Sequence, residues 1–182
     1  MENLWEALHM NLVLIGYRAA GKTTVGRRLS ASLGRVFIDT DDLIEERQGT
    51  QIGEIVRFHG WDYFRAIEKK IVSNISTHDN LVIAAGGGAV LETENVKVLK
   101  RNGFIVWLKA DAEVLYHRMA NDLSTITRRP SLTGKGALEE IKEVLALREG
   151  FYQNASEVQV DTSALHIEGV VEAVLSILNG NR

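Results

Sequence analysis

The chain has 182 residues, 45% hydrophobic and 25% charged, with 21 basic and 24 acidic side chains giving a net charge of −3. This is the composition of one ordinary globular domain. It excludes a collagenous chain and a disordered tail, and no apolar run reaches the roughly 18 residues that a membrane span needs. The charge balance offers no footprint for nucleic acid or an anionic membrane, and the absence of cysteine excludes disulfides and thiolate sites.

Residues 1–9 carry Glu2 and Glu6 and no basic stretch, unlike a secretory signal. Met10 is a second candidate start, which would make 1–9 an extension, and the cytoplasm is the expected location. Asn11–Ile15 is apolar, ends at Gly16, and predicts a buried strand. Val25, Leu29 and Leu33 predict a helix over 22–33 that Gly34 stops. Residues 36–38 predict a second strand, followed by Asp39, Thr40, Asp41 and Asp42. The segments 43–47, 52–58 and 61–76 have helical spacing broken at Gly49 and Gly60. A third strand over 81–85 runs into Gly86, Gly87 and Gly88. A helix over 93–102, a strand over 104–108 and a helix through Leu115 to Met119, capped by Asp111, come next. Residues 122–136 are polar and aperiodic, which marks a functional or mobile loop. A helix over 137–151, a strand over 158–160 and a helix over 167–178 complete the chain. Apolar strands alternating with helices predict an α/β domain with a parallel sheet covered on both faces.

Gly16-Tyr17-Arg18-Ala19-Ala20-Gly21-Lys22-Thr23 fits the phosphate-loop pattern G-x-x-x-x-G-K-[ST] between a predicted strand and a predicted helix. Glycines let successive N–H groups turn toward phosphate oxygens, and the helix N-terminus adds positive potential. Lys22 can reach the outer phosphates and the Thr23 hydroxyl can ligate Mg²⁺. Arg18 and Thr24 read as local helpers or as solvent-facing residues. No N-K-x-D base-reading motif of a GTPase is present.

The acids stand after the second strand. If the segment is extended, Asp39 and Asp41 point the same way, into the crevice at the strand ends. One could hold Mg²⁺ through water and the other meet a substrate hydroxyl. Alternatively, 39–42 caps the next helix, most securely through Asp42. Arg65 and Glu68, three apart on a helix, are either an arginine fork fixed for a carboxylate ligand or a surface ion pair. The three glycines mark a close approach to the backbone or a flexible turn. Arg128, Arg129 and Lys135 make the 122–136 loop basic, suited to stabilising transferring charge. Arg148 is a further candidate cation. Any one of these arginines, taken alone, reads as solvated surface.

Taken together these residues resemble the shikimate kinase family. The likeness rests on 16–24, Asp39-Thr40-Asp41, Phe64-Arg65-x-x-Glu68, Gly86-Gly87-Gly88, Arg129-Pro130-Ser131-Leu132, and Leu147-Arg148 with Tyr152. It covers the chain from Asn11 to about Gly180. It implies a three-layer α/β/α P-loop kinase with a five-stranded parallel sheet of order 2-3-1-4-5, a substrate-binding helical region at about 40–77 and a lid at 122–136. The implied reaction moves the γ-phosphoryl of MgATP to the 3-hydroxyl of shikimate, in chorismate and aromatic amino acid biosynthesis.

Carried over by position, the resemblance implies Lys22, Asp41 and Arg129 as catalytic. Gly16, Arg18, Ala19, Ala20, Gly21, Lys22, Thr23, Thr24, Arg118 and Arg129 would bind ATP, with Arg118 on the adenine. Thr23 and Asp39 would serve Mg²⁺. Asp41, Phe64, Arg65, Gly86, Gly87, Gly88 and Arg148 would bind shikimate, with Ile52, Val56, Pro130 and Ser131 also lining its pocket. Arg18 stands where a small residue or proline is common. Residues 161–165 lack the basic residue or proline that often cradles adenine. The implied partners are shikimate and ATP, without nucleic acid or membrane, and a monomer is expected. Two alternatives are another metabolite kinase, such as a gluconate kinase, and a nucleotide-binding paralogue without catalysis. Arg65 and Arg148 argue against the first, and retention of Lys22, Asp41 and Arg129 argues against the second.

Overall fold

The computed structural model describes residues 10–121 and 136–180. Five strands form one parallel sheet: β1 (Asn11–Ile15), β2 (Val36–Asp39), β3 (Leu81–Ala84), β4 (Gly103–Lys109) and β5 (Val158–Asp161), in the order β2-β3-β1-β4-β5. Leu12 pairs with Val82 on one side and Phe104 on the other, so β1 is central. Asn11 sets the start of this pairing: its side-chain amide donates to the His78 carbonyl at 2.7 Å and accepts the Leu81 N–H at 2.8 Å.

The helices are α1 (Lys22–Leu33), α2 (Thr40–Gln48), α3 (Ile52–Ile75), α4 (Thr93–Arg101), α5 (Ala112–Ala120), α6 (Ala137–Ala155) and α7 (Ile167–Leu178). Successive strand residues face opposite sides. Val13, Ile15, Ile83, Ile105 and Trp107 therefore join one core with residues of α2, α3 and α4. Leu12, Leu14, Val82, Val106 and Leu108 join the other, with residues of α1, α5 and α7. Helix α6 serves both: Ile141 and Val144 pack into the second core, Tyr152 and Ala155 into the first. It thus crosses the sheet beside the ends of the central strands.

The prediction of strands buried on both faces holds for β1, β3 and β4. The edge strands differ. Val36 of β2 is 64% exposed, and only Val160 of β5 is buried, because an edge has a neighbour on one side only. The expected break at Gly60 is present as a kink within α3, where Gly60 leaves the helical conformation at φ +82°. Asp111 occupies the N-cap position of α5, but its side chain makes no capping hydrogen bond. Leu147 is exposed on α6. Residues 1–9 and most of the expected lid, 122–135, lie outside the described residues, and with them Arg128, Arg129, Pro130 and Ser131. No helix among the described residues is long and apolar enough to cross a membrane.

Candidate active site

The loop after β1 curls where the sequence places its glycines. Gly16 has φ +141°, and a Cβ there would lie 2.4 Å from the Leu108 carbonyl oxygen. Gly21, at φ +98°, begins α1. Both conformations are ones an L side chain rarely adopts. Lys22 folds over the loop and donates to the carbonyls of Gly16 and Tyr17, each at 2.9 Å. Its charge thereby sits at the mouth of a cavity of about 650 Å³. Arg18, Ala19, Ala20, Gly21, Thr23, Thr24, Asp39, Asp41 and Arg118 also line that cavity, so of the predicted nucleotide residues among those described all but Gly16 converge on it.

Asp39 closes the loop from the end of β2. One carboxylate oxygen accepts the Thr23 hydroxyl at 2.7 Å, and the other accepts the Asp41 N–H at 3.0 Å. The second bond makes Asp39 the N-cap of α2. The two sequence readings of this segment are therefore compatible, but the details change. The cap is Asp39; Asp42, preferred from sequence, is on the first turn and lies 3.6 Å from Arg27. Asp41 is helical and not extended, so strand alternation does not explain its direction. It still faces the crevice, because the first helical turn begins there.

A second pocket adjoins the first and is lined by Asp41, Ile52, Phe64, Arg65, Gly87, Gly88 and Arg148. Asp41, Arg18 and Ile52 line both spaces. Val56 packs against the neighbouring core and does not line this pocket. Arg65 binds Glu68 at 2.5 Å, and the Glu68 side chain is only 1% exposed. This is a buried pair that holds the guanidinium in place, not the surface pair that was the alternative.

The glycine turn is tight because other groups of the site crowd it. A Cβ on Gly86 would lie 2.7 Å from Asp41 Oδ1 and 2.8 Å from Glu68 Oε1, and one on Gly88 would lie 2.2 Å from an Arg65 nitrogen. Gly87 is less crowded, with nothing nearer than 3.5 Å. The Thr40 hydroxyl accepts the Gly86 N–H at 2.8 Å.

Three features escaped the sequence reading. Arg18 is neither solvent-facing nor merely beside phosphate: it pairs with Glu140 of α6 at 2.5 Å, with side chains 12% and 3% exposed. Arg118 lines the larger cavity and donates to the Thr162 hydroxyl at 3.0 Å and to its carbonyl at 2.6 Å. Thr162 thus anchors the residue expected at adenine, in the segment that lacks a basic residue or proline. The Gly87 carbonyl accepts both the Tyr152 hydroxyl, at 2.5 Å, and Arg148, at 3.2 Å. None of these long-range pairings has a local signature in the sequence.

A phosphate loop at the end of the central strand of a 2-3-1-4-5 parallel sheet defines the class of P-loop kinases. The family model described as shikimate kinase matches residues 18–179. A shikimate kinase of Symbiobacterium thermophilum is 41% identical over 93% of this chain and 96% of its own. Shikimate kinase 2 of Yersinia enterocolitica is 41% identical over 92% of this chain and 94% of its own. The solved structure of shikimate kinase from Acinetobacter baumannii in complex with shikimate superposes with a TM-score of 0.89 at 30% identity, covering 98% of this chain and 97% of that one. A gluconokinase of Sinorhizobium meliloti, at 17% identity and a TM-score of 0.54, shares the fold alone. The chain belongs to the shikimate kinase family, whose members are ATP-dependent kinases acting on shikimate.

Proposed function

We propose that this protein moves the γ-phosphoryl group of ATP to the 3-hydroxyl of shikimate, with ATP in the larger cavity and shikimate in the adjoining pocket. The observation that carries this reading is the position of Asp41, which lines both spaces and is 9% exposed. A carboxylate there can accept a hydrogen bond from the attacking hydroxyl and take its proton as the new O–P bond forms. The loop N–H groups and Lys22 hold the phosphates. Lys22 leaves the two carbonyls for the phosphate oxygens, which bind the ammonium more strongly. Arg65, braced by Glu68, and Arg148 present cations to the substrate carboxylate. Gly86, Gly87 and Gly88 let the ring approach the backbone, and Phe64 closes the pocket wall. Arg118 faces the adenine, and Gly16, Arg18, Ala19, Ala20, Gly21 and Thr24 complete the nucleotide site. Arg129, outside the described residues, keeps the part the family resemblance implies, a cation on the transferring phosphoryl group.

The Thr23 hydroxyl and Asp39 carboxylate are hard oxygen donors 2.7 Å apart at the mouth of the loop. That donor set suits Mg²⁺, which takes few protein ligands and shares the rest with water and phosphate. Bound there, the ion would neutralise phosphate charge.

The test is ADP formation with and without shikimate, alongside gluconate as a control. Shikimate-dependent ADP is the expected result; its absence overturns the proposal.

A further inference from the structure

The side chain of Tyr152 is fully buried on α6, and its ring stacks on Trp107 at 5.6 Å between centroids. Its hydroxyl reaches across 65 positions of sequence to the Gly87 carbonyl. That oxygen has two lone pairs, and the second donor is Arg148. The same carbonyl belongs to the peptide unit that carries the Gly88 N–H. No cis peptide bond occurs among the described residues; this unit is planar and trans, and its C=O and N–H point in opposite directions. A carbonyl held toward Tyr152 and Arg148 therefore turns the Gly88 N–H away from α6. Among the described residues no backbone or side-chain acceptor takes that N–H. Gly87 and Gly88 both line the smaller pocket.

We infer that Tyr152 is a positioning residue for the sugar-like substrate: its hydroxyl fixes the Gly87–Gly88 peptide so that the Gly88 N–H donates into the smaller pocket, and it shares the anchoring carbonyl with Arg148. This rests on the proposed placement of shikimate in that pocket. The neighbouring peptides are set by other means. Gly86 N–H is held by Thr40, the Gly86 carbonyl accepts the Ala89 N–H at 3.0 Å, and the Gly88 carbonyl accepts the Leu91 N–H at 3.1 Å. The middle peptide alone depends on α6. Burial pushes the Tyr152 phenol up to about 12, which keeps it a proton donor throughout the neutral range. Helix α6 is itself tied to the phosphate loop through Glu140 and Arg18, so the anchor is referenced to the nucleotide site.

Tyr152→Phe keeps the ring and its stacking but removes the donor. Its KM for shikimate should rise about three- to tenfold, as expected for one lost hydrogen bond. The KM for ATP and kcat should stay within about twofold, because the phosphate loop is untouched. Thermal unfolding of the same variant monitors the fold. A purely structural role would lower the melting temperature and leave the KM for shikimate unchanged, or raise both KM values equally; either result overturns the inference while shikimate-dependent turnover of the unaltered protein stands. If the unaltered protein shows no such turnover, the functional reading falls and this inference with it.

Discussion

Thr23 and Asp39 meet across the mouth of the phosphate loop, hydroxyl to carboxylate, at 2.7 Å. The contact joins the start of α1 to the end of β2. Because Asp39 also caps α2, one carboxylate fixes both the proposed Mg²⁺ ligand and the helix that carries Asp41.

Asp39→Ala should therefore have two separable effects. Loss of the cap costs about 1 kcal/mol of stability. Loss of the oxygen donor should raise the Mg²⁺ concentration for half-maximal activity roughly tenfold or more. Thermal melts and a Mg²⁺ titration read the two apart. A lowered melting temperature with an unchanged Mg²⁺ requirement would leave Asp39 as a cap only.

Asp41→Asn preserves shape and removes the base. The value of kcat should fall by about 10²- to 10⁴-fold, while ATP affinity, measured by calorimetry, should survive. Equal loss of both would mean that Asp41 serves the fold and not the chemistry.

Arg18→Ala removes a guanidinium that pairs with the buried Glu140 carboxylate. Removing one member of a buried pair costs about 3–5 kcal/mol. Denaturant unfolding should show this loss, and adding Glu140→Gln should recover part of it. If the double variant is no more stable than the single one, the coupling between the phosphate loop and α6 is negligible.

The buried tyrosine gives a pH signature. Tyr152 is pushed up from 10.0 to about 12 by burial, so the folded state binds its proton more tightly than the unfolded state. The stability it contributes is full below about pH 10 and is lost as pH rises through about 12. Tyr17 is raised in the same direction, also chiefly by burial. Unfolding free energies measured from about pH 9 upward should fall less steeply for Tyr152→Phe than for the unaltered protein. Parallel curves would contradict the assignment.

Much of this protein was legible in its residues because the signals are local. The phosphate loop needs glycine at Gly16 and Gly21 for backbone conformations that other residues resist. The central strands are apolar because both faces are covered. Arg65 and Glu68 sit one helical turn apart, so spacing alone makes them neighbours. Sequence could not say whether that pair is buried. The kinked helix around it and the glycine turn against it decide this, with Glu68 fully enclosed.

The sequence by itself determined the class of fold, the phosphate loop and the residue types of both cavities, since each depends on backbone geometry or on contacts between near neighbours. The tertiary structure decided what depends on distant segments meeting. It turned Arg18 toward Glu140. It anchored Arg118 on Thr162 and brought Tyr152 and Arg148 to one carbonyl. These pairings join groups that local propensity cannot relate, because only the packing of α6 and β5 beside the strand ends brings them within hydrogen-bond reach.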